Sequence, residues 1–435
     1  MSGGFKHVRN YLSNIINIVL LWILQYIWTL PGFVVVISYL YSNQSIRHIA
    51  DHVMKWFNRK IEDYVYLIDD EKRVALIIGA DNAVGYCLAK KLVRKNYHVL
   101  MGVKSIKVGL RMKRKIVTNY PFCHVTVLSV DMGNPMSVFY FAKRIRHIYR
   151  RVDVLYLNNS VVNIESMDWN VMYEALRSKS IDCLFTTGRA SEHGKYMITP
   201  VNLGTNDCGF GIEFCQQVLS PFILVGVLNP PNAKIQELRV LLSNANMPGR
   251  VVWSGSSTCS RDAFNWSDPQ HLHGHLSFYS HKWLTHLLQP ALNEALRDTG
   301  VQSFEACPGL VLTGTSPRFF RRMSWLIYIL GFFFPTIQLW PATGARTLLH
   351  IGTHRKEYKD LNPNHLYYMQ WRLQGLVQSP FVEDVHLAES RFAYNWLFSL
   401  YRKLKNSSIL LGDMSKSVMA LQDTNMAPRM RANSL

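Results

Sequence analysis

Spaced by its apolar positions, the chain divides into an unbroken hydrophobic run, a long alternating stretch and a more polar end. Residues 11–41, YLSNIINIVLLWILQYIWTLPGFVVVISYLY, carry almost no charge. A bilayer core ~30 Å thick is crossed by about 20 apolar residues in a helix, so this run is long enough. Lys6 and Arg9 precede it, Arg47, Lys55, Arg59 and Lys60 come after it, and Trp22, Trp28, Tyr39 and Tyr41 suit the interface. The run is too long for a cleavable leader, and no small-x-small site lies beyond it. Pro31 either kinks a single span or turns a re-entrant hairpin. The heavier positive charge after the run places the rest of the chain on the cytosolic side. Residues 1–60 therefore read as a transmembrane or monotopic anchor with a basic linker.

From Arg73 the period changes. Val74-Ala-Leu-Ile-Ile78 is a short apolar run, as in a strand buried on both faces, and Gly79-Ala-Asp-Asn-Ala83-Val-Gly85 turns it into a helix over Tyr86 to Lys95. Strands are expected at His98–Met101, His124–Val130 and Val152–Leu157, with a helix from Ser137 to Tyr149. Residues 163–212, rich in Gly, Ser and Thr, break the rhythm as an insertion. A helix is expected from about Phe214 to Val227, then a helical stretch to Leu242. Val251-Val-Trp-Ser-Gly-Ser256 reads as a strand, the segment from Phe278 as an amphipathic helix with Leu284, Leu287, Leu288 and Leu292 on one face, and Val301–Cys307 as a strand. This βαβ series predicts an α/β fold, a Rossmann-type doubly wound parallel sheet over residues 73–350. The uncharged segment Ser324–Trp340, preceded by Arg318, Arg321 and Arg322, reads as a second membrane-contacting element. Residues 351–435 form a C-terminal extension with a polar, loose tail from about Asn406.

Composition narrows the function classes. The formal charge is +19 and the pI about 9.6, which suits nucleic acid or an anionic membrane. No zinc-finger or RRM signature is present, so the sequence argues against nucleic acid and for membrane lipid. The seven cysteines, at 87, 123, 183, 208, 215, 259 and 307, form no CxxC pair and imply reduced thiols. His271, His273, His275 and His281 are close in sequence but read as solvated histidines rather than metal ligands.

Candidate chemistry sits at the predicted strand ends. A glycine turn from strand to helix lets backbone N–H groups meet a pyrophosphate, which makes Gly79, Asp81 and Gly85 cofactor candidates. The second strand runs into Gly102-Val-Lys104-Ser105, with Lys107 and Arg111 beyond and no carboxylate. A basic residue there tolerates a 2′-phosphate, so Lys104 points to NADP(H). Asp131 closes the third strand and Asn158 the fourth. Ser256 ends an apolar strand on small hydroxyl residues. In Phe278-Tyr-Ser-His-Lys282, Tyr279 and Lys282 lie three residues apart on one helix.

These pieces resemble the Ser and Tyr-x-x-x-Lys chemistry of short-chain dehydrogenases/reductases, over about residues 73–350. Within that family they look like the membrane-bound 3-keto-steroid reductases of sterol synthesis, which also act as 17-beta-hydroxysteroid dehydrogenases. Tyr156-Leu157-Asn158 matches that group's Tyr-Leu-Asn, and Phe222-Ile-Leu224 with Leu228 and Pro230 matches its fourth helix. Phe264, Asp268, Gln270, His271 and Gly274 share the register of its loop before the catalytic helix. Ala306-Cys-Pro-Gly309 and Thr313 match its Pro-Gly turn, where the nicotinamide half of the cofactor would rest. The resemblance implies a catalytic serine at Ser256 and lysine at Lys282, with the asparagine position on Gln217 and the tyrosine position on Phe278. Tyr279, one residue late, is the candidate displaced acid. Ile78, Ala83 and Ser160 also depart from the family pattern. Pro308, Gly309 and Thr313 join the cofactor candidates. Two functions fit this pattern: an endoplasmic-reticulum reductase of a steroid or other lipophilic ketone, facing the cytosol, or an inactive relative that only binds or scaffolds. Homo-oligomers stay open.

Overall fold

The computed structural model describes residues 73–149, 151–159, 164–168, 170, 198–200, 203–229, 249–256, 258–311, 337–338, 341–353, 362–370, 375–378 and 385–426. The run 11–41, the stretch 230–248, Ser160, Thr313 and all of 324–340 except 337–338 lie outside them.

The alternation folds as the sequence reading expects. Strands β1 (Val74–Ile78), β2 (His98–Val103), β3 (Val125–Ser129), β4 (Val154–Leu157), β7 (Gly249–Ser254) and β8 (Val301–Ala306) form a parallel sheet. The short pair β5 (Ile164–Met167) and β6 (Ile198–Pro200) is antiparallel and separate, inside the 163–212 insertion. The order of the six parallel strands is β8-β7-β4-β1-β2-β3. Beyond the sequence reading, β11 (Leu366–Gln370) extends the sheet in parallel and β12 (Gly375–Gln378) closes that edge antiparallel. The central pair β1–β4 is the point where strand order reverses, and the crevice above such a switch point is where α/β sheets bind ligands.

Helices cover both faces because the strands are apolar on both. One face carries α1 (Ala83–Arg94), α2 (Ile106–Asn119) and α6 (Pro341–Thr353), with core residues Leu88, Leu92, Ile116, Ala345 and Leu348. The other carries α3 (Pro135–Ile148), α4 (a continuous run of Ile212–Phe214, Cys215–Leu219 and Ser220–Leu228), α5 (Ser277–Leu296) and α7 (Leu387–Met426).

Several boundaries differ from the sequence reading. α1 starts at Ala83 rather than Tyr86, because Asn82 caps it by accepting from the Gly85 amide at 2.7 Å. The basic stretch after β2 is a helix, α2, which buries only Gly109 and Ile116 and so shows little apolar periodicity. The polar stretch from Asn406, expected to be loose, continues α7 as helix to Met426. The first half of α7 buries Ala393, Leu397, Tyr401 and Leu404. It also mends α5: Pro290 sits inside that helix, and the displaced Ala291 amide donates to Ser390 Oγ at 3.0 Å. Within the segment expected to contact a membrane, Ile337–Gln338 pair in parallel with β9 (Leu310–Val311) as a short strand, β10. Among the described residues no helix is long and apolar enough to cross a membrane.

Candidate functional site

The turn from β1 into α1 is held by the end of β4. Gly79 has φ +72, and a Cβ there would lie 2.4 Å from the Asn158 carbonyl oxygen. A Cβ on Gly85 would lie 2.3 Å from the Gly79 carbonyl oxygen. Both glycines are therefore demanded by the protein's own backbone. Asn82 Nδ2 donates to the Asn158 carbonyl at 2.7 Å, and buried Asn158 Nδ2 donates to Asn82 Oδ1 at 3.1 Å. The neighbouring Asp81 reaches across to the end of β2, where its carboxylate accepts from the Lys104 amide at 3.0 Å and the Ser105 amide at 3.5 Å. The β2 end thus gains a carboxylate that its own sequence lacks. The exposed Lys104 ammonium lies 3.7 Å from the Asp131 carboxylate, which also accepts from the Gly133 amide at 2.9 Å.

Across the strand ends stands α5, whose residues Ser277 to Gln289 are all buried. Lys282 is 1% exposed and its ammonium donates to the Ser254 carbonyl at the end of β7. The same ammonium lies 5.6 Å from the centroid of the Phe278 ring, one helical turn earlier. Phe278, not Tyr279, is thus the aromatic ring over the lysine. Tyr279, 3% exposed, packs with Ala263 and Leu276 on the loop before the helix, its ring edge-on to Phe278 at 5.8 Å. Ser256 Oγ is 2.7 Å from Thr258 Oγ1. Burial pulls the Lys282 pKa down to about 8, although Glu305, Cys307, Cys259 and Glu213 all pull it up.

Two buried carboxyls stand near that lysine. Glu213 on α4 accepts from Ser277 Oγ and, at 2.9 Å, from Gln217 Nε2. Burial raises its pKa, against the hydrogen bond from Ser277, the Lys282 charge and the hydrogen bond from Gln217. Gln217 lies in a π-helical turn, Cys215–Leu219, a distortion frequent at functional sites. Glu305 on β8 meets His286 Nδ1 at 2.6 Å, and a Cβ on Gly255 would lie 2.7 Å from its Oε1.

Residues 73–188 match the sequence model of the short chain dehydrogenase family. That stretch is similar to the short-chain dehydrogenases. The human protein named 3-keto-steroid reductase/17-beta-hydroxysteroid dehydrogenase 7 is 27% identical over 299 residues, covering 67% of this chain and 82% of that one. The Schizosaccharomyces pombe 3-keto-steroid reductase erg27 is 22% identical over 274 residues, covering 60% and 75%. Among solved structures, the L-sorbose reductase of Gluconobacter frateurii complexed with NADPH and L-sorbose superposes with a TM-score of 0.47 at 14% identity, covering 72% of this chain and 98% of that one.

In this sheet, Gly79, Lys104, Asp131, Asn158, Ser256 and the Pro308-Gly309 turn come just after the carboxyl ends of β1, β2, β3, β4, β7 and β8. Gly309 has φ +75. Thr313 lies outside the described residues. Sequence reasoning missed Glu213 and Glu305, though each is the one charged residue in its element, which is a legible signal. His273 and His275 are exposed, as expected, whereas His271 is half-buried and His281 is not solvated at all. His281 is fully buried, meets the Gln270 carbonyl at 3.0 Å through Nε2, and is held neutral by burial with a pKa of about 3. His271 Nε2 accepts from the Leu276 amide at 3.1 Å, and His273 pairs with Asp268 at 3.3 Å. Among the described residues no group of three side chains is placed to hold a metal ion.

Proposed function

We propose that the chain is a membrane-associated reductase of a steroid or other lipophilic ketone, using NADP(H), with Phe278 in place of the usual phenolic acid. The observation that carries this reading is Lys282: a fully buried ammonium, pinned to the end of β7 beside Ser256, that burial itself opposes. A lysine is expensive to bury, and one kept at the ligand crevice of the fold argues for use. The names of the human and fission-yeast relatives supply the substrate class. The apolar run 11–41 would hold the protein on the endoplasmic reticulum, with the domain facing the cytosol.

The residues present fit a nicotinamide dinucleotide. Gly79 and Gly85 keep the turn tight at the start of α1, where backbone amides favour a pyrophosphate. Buried Gln217 Oε1 has no hydrogen-bond partner among the described residues, while its Nε2 donates to Glu213. Lys104 would take a 2′-phosphate by turning from Asp131, Asn158 would back the turn, and the Pro308-Gly309 turn would hold the nicotinamide end. When bound, such a nucleotide supplies the hydride. Ser256 would orient the carbonyl oxygen. The acid that the geometry offers is Lys282, whose pKa of about 8 keeps it protonated at neutral pH. Tyr279 is the competing donor.

Phe278 favours a second reading, in which the domain binds nucleotide and sterol without turnover, because its ring takes the place of a phenol over Lys282. NADPH-dependent reduction of a 3-keto-steroid by the full-length protein, Phe278→Tyr and Tyr279→Phe separates the two. The reductase reading expects activity in the unmutated protein that survives Tyr279→Phe and declines above about pH 8. Loss in Tyr279→Phe would make the displaced tyrosine the acid. No activity until Phe278→Tyr restores it, by about 10²–10⁴-fold, would establish the binding-only reading.

A further inference from the structure

The positive charge of the chain is concentrated in one part of the fold. Residues 82–152 hold fifteen Lys and Arg against a single carboxylate, Asp131. That net of +14 is most of the formal +19. Within that segment, β2, α2, β3 and α3 make the β3 edge of the sheet, with α2 on one face and α3 on the other, while α1 packs against α6 nearer the centre. Lys107, Arg111, Arg114 and Lys115 are exposed on α2, and Lys143 and Arg144 on α3.

The exposed apolar residues gather at the same edge. Of seven large hydrophobic side chains exposed among the described residues, five belong to it: Ile106, Leu110, Phe122, Tyr140 and Ile148. Phe122, in the turn between α2 and β3, is 94% exposed. Ile106 and Leu110 are one turn apart on α2, about 40° apart around the helix, and the basic residues lie on the flank beside them. Charge alone could be a guard on an open sheet edge. Such a guard does not explain apolar side chains set among the charges, which would promote the contacts it prevents. Aliphatic side chains beside basic ones match the two layers of a bilayer surface, anionic headgroups over acyl chains. Nucleic acid would engage the basic side chains and stack on an aromatic ring, but would leave Ile106, Leu110 and Ile148 without an apolar layer to enter.

We propose that the β3 edge, with α2, α3 and the Phe122 turn, docks flat on an anionic lipid bilayer. Phe122 enters the headgroup–acyl boundary while the Lys and Arg side chains meet the headgroups. Phe122 and Ile148 lie at the amino-terminal ends of β3 and β4, the end at which the chain enters the domain before β1. This docking stands whether or not the site turns over substrate.

The test uses the full-length protein reconstituted into phosphatidylcholine vesicles with and without phosphatidylserine. A photoreactive benzoylphenylalanine replaces Phe122 and, as a control, Phe392 on α7, which is 58% exposed. Lipid adducts at position 122 should rise at least severalfold in the anionic vesicles and stay low at 392. They should fall in roughly 0.5 M salt, where screening shortens to a few ångströms, and in the triple variant Lys107→Glu, Arg111→Glu, Arg114→Glu. Equal adducts at both positions, or equal adducts in neutral and anionic vesicles, would overturn the proposal. So would adducts at 122 to a second copy of the chain, or their replacement by nucleic-acid adducts when RNA is added.

Discussion

The glycine turn and helix α5 face the same strand ends but are built on opposite terms. In the turn, Asn82, Asn158 and Asp81 direct their side chains at nearby protein groups, and each glycine is required because a Cβ would meet protein backbone. On the other side, α5 carries the buried Lys282, and Ser280 Oγ, His281 Nδ1 and Trp283 Nε1 on the same helix, with Gln217 Oε1 and Glu305 Oε1, are buried without a hydrogen-bond partner among the described residues. Intact glycines therefore report on the fold, whereas Lys282, which burial opposes, reports on function. A binding motif is weak evidence when the scaffold needs it anyway.

The comparison breaks most visibly at Gly79. With φ +72 and the Asn158 carbonyl 2.4 Å from a Cβ, Gly79→Ala should cost about 2–4 kcal/mol of stability. A thermal melt of the variant with no nucleotide present checks it, and an unchanged melt would mean that the glycine serves a ligand instead. The pH dependence of stability sharpens the other side. Lys282 has a folded pKa of about 8, below its unfolded value of 10.5. Between those values the unfolded chain binds more protons, so stability from this residue rises with pH, by up to roughly 3 kcal/mol. Denaturant titrations of the protein and of Lys282→Met at pH 7.5 and at pH 10 should differ in that slope. The smallest effect is at the β2 end. Asp81→Asn removes a negative charge near the Lys104 amide and should raise the preference for NADPH over NADH by about tenfold or less, measured by fluorescence quenching.

The parallel sheet was legible because its strands are short apolar runs with Gly or polar residues at their ends, such as Val74–Ile78 before Gly79. α2 was hidden because only Gly109 and Ile116 on it are buried. α7 was missed although Ala393, Leu397, Tyr401 and Leu404 recur at helical spacing; what the sequence does not show is where it docks, through aromatics with distant partners: Tyr401 stacks on Phe139 at 5.9 Å, and Tyr394 meets Phe222 edge-on at 5.6 Å. In the site, the register of Phe278 against Lys282 was readable from a four-residue spacing on a helix. Asp81 at the end of β2 was not, since no local pattern tells which strand a turn side chain will reach across to. Glu213 and Glu305 converge on Lys282 from α4 and β8, a meeting that only the crossovers create.

Lys282→Met in the full-length protein tests most directly whether that lysine is kept for function against the interest of the fold. The variant fills a similar volume without an ammonium whose charged form burial opposes. A melting temperature equal to or above that of the unmutated protein, with NADPH binding and ketone reduction both lost, is the predicted result. A clearly lower melting temperature with NADPH binding unchanged would make Lys282 a structural residue and contradict the account.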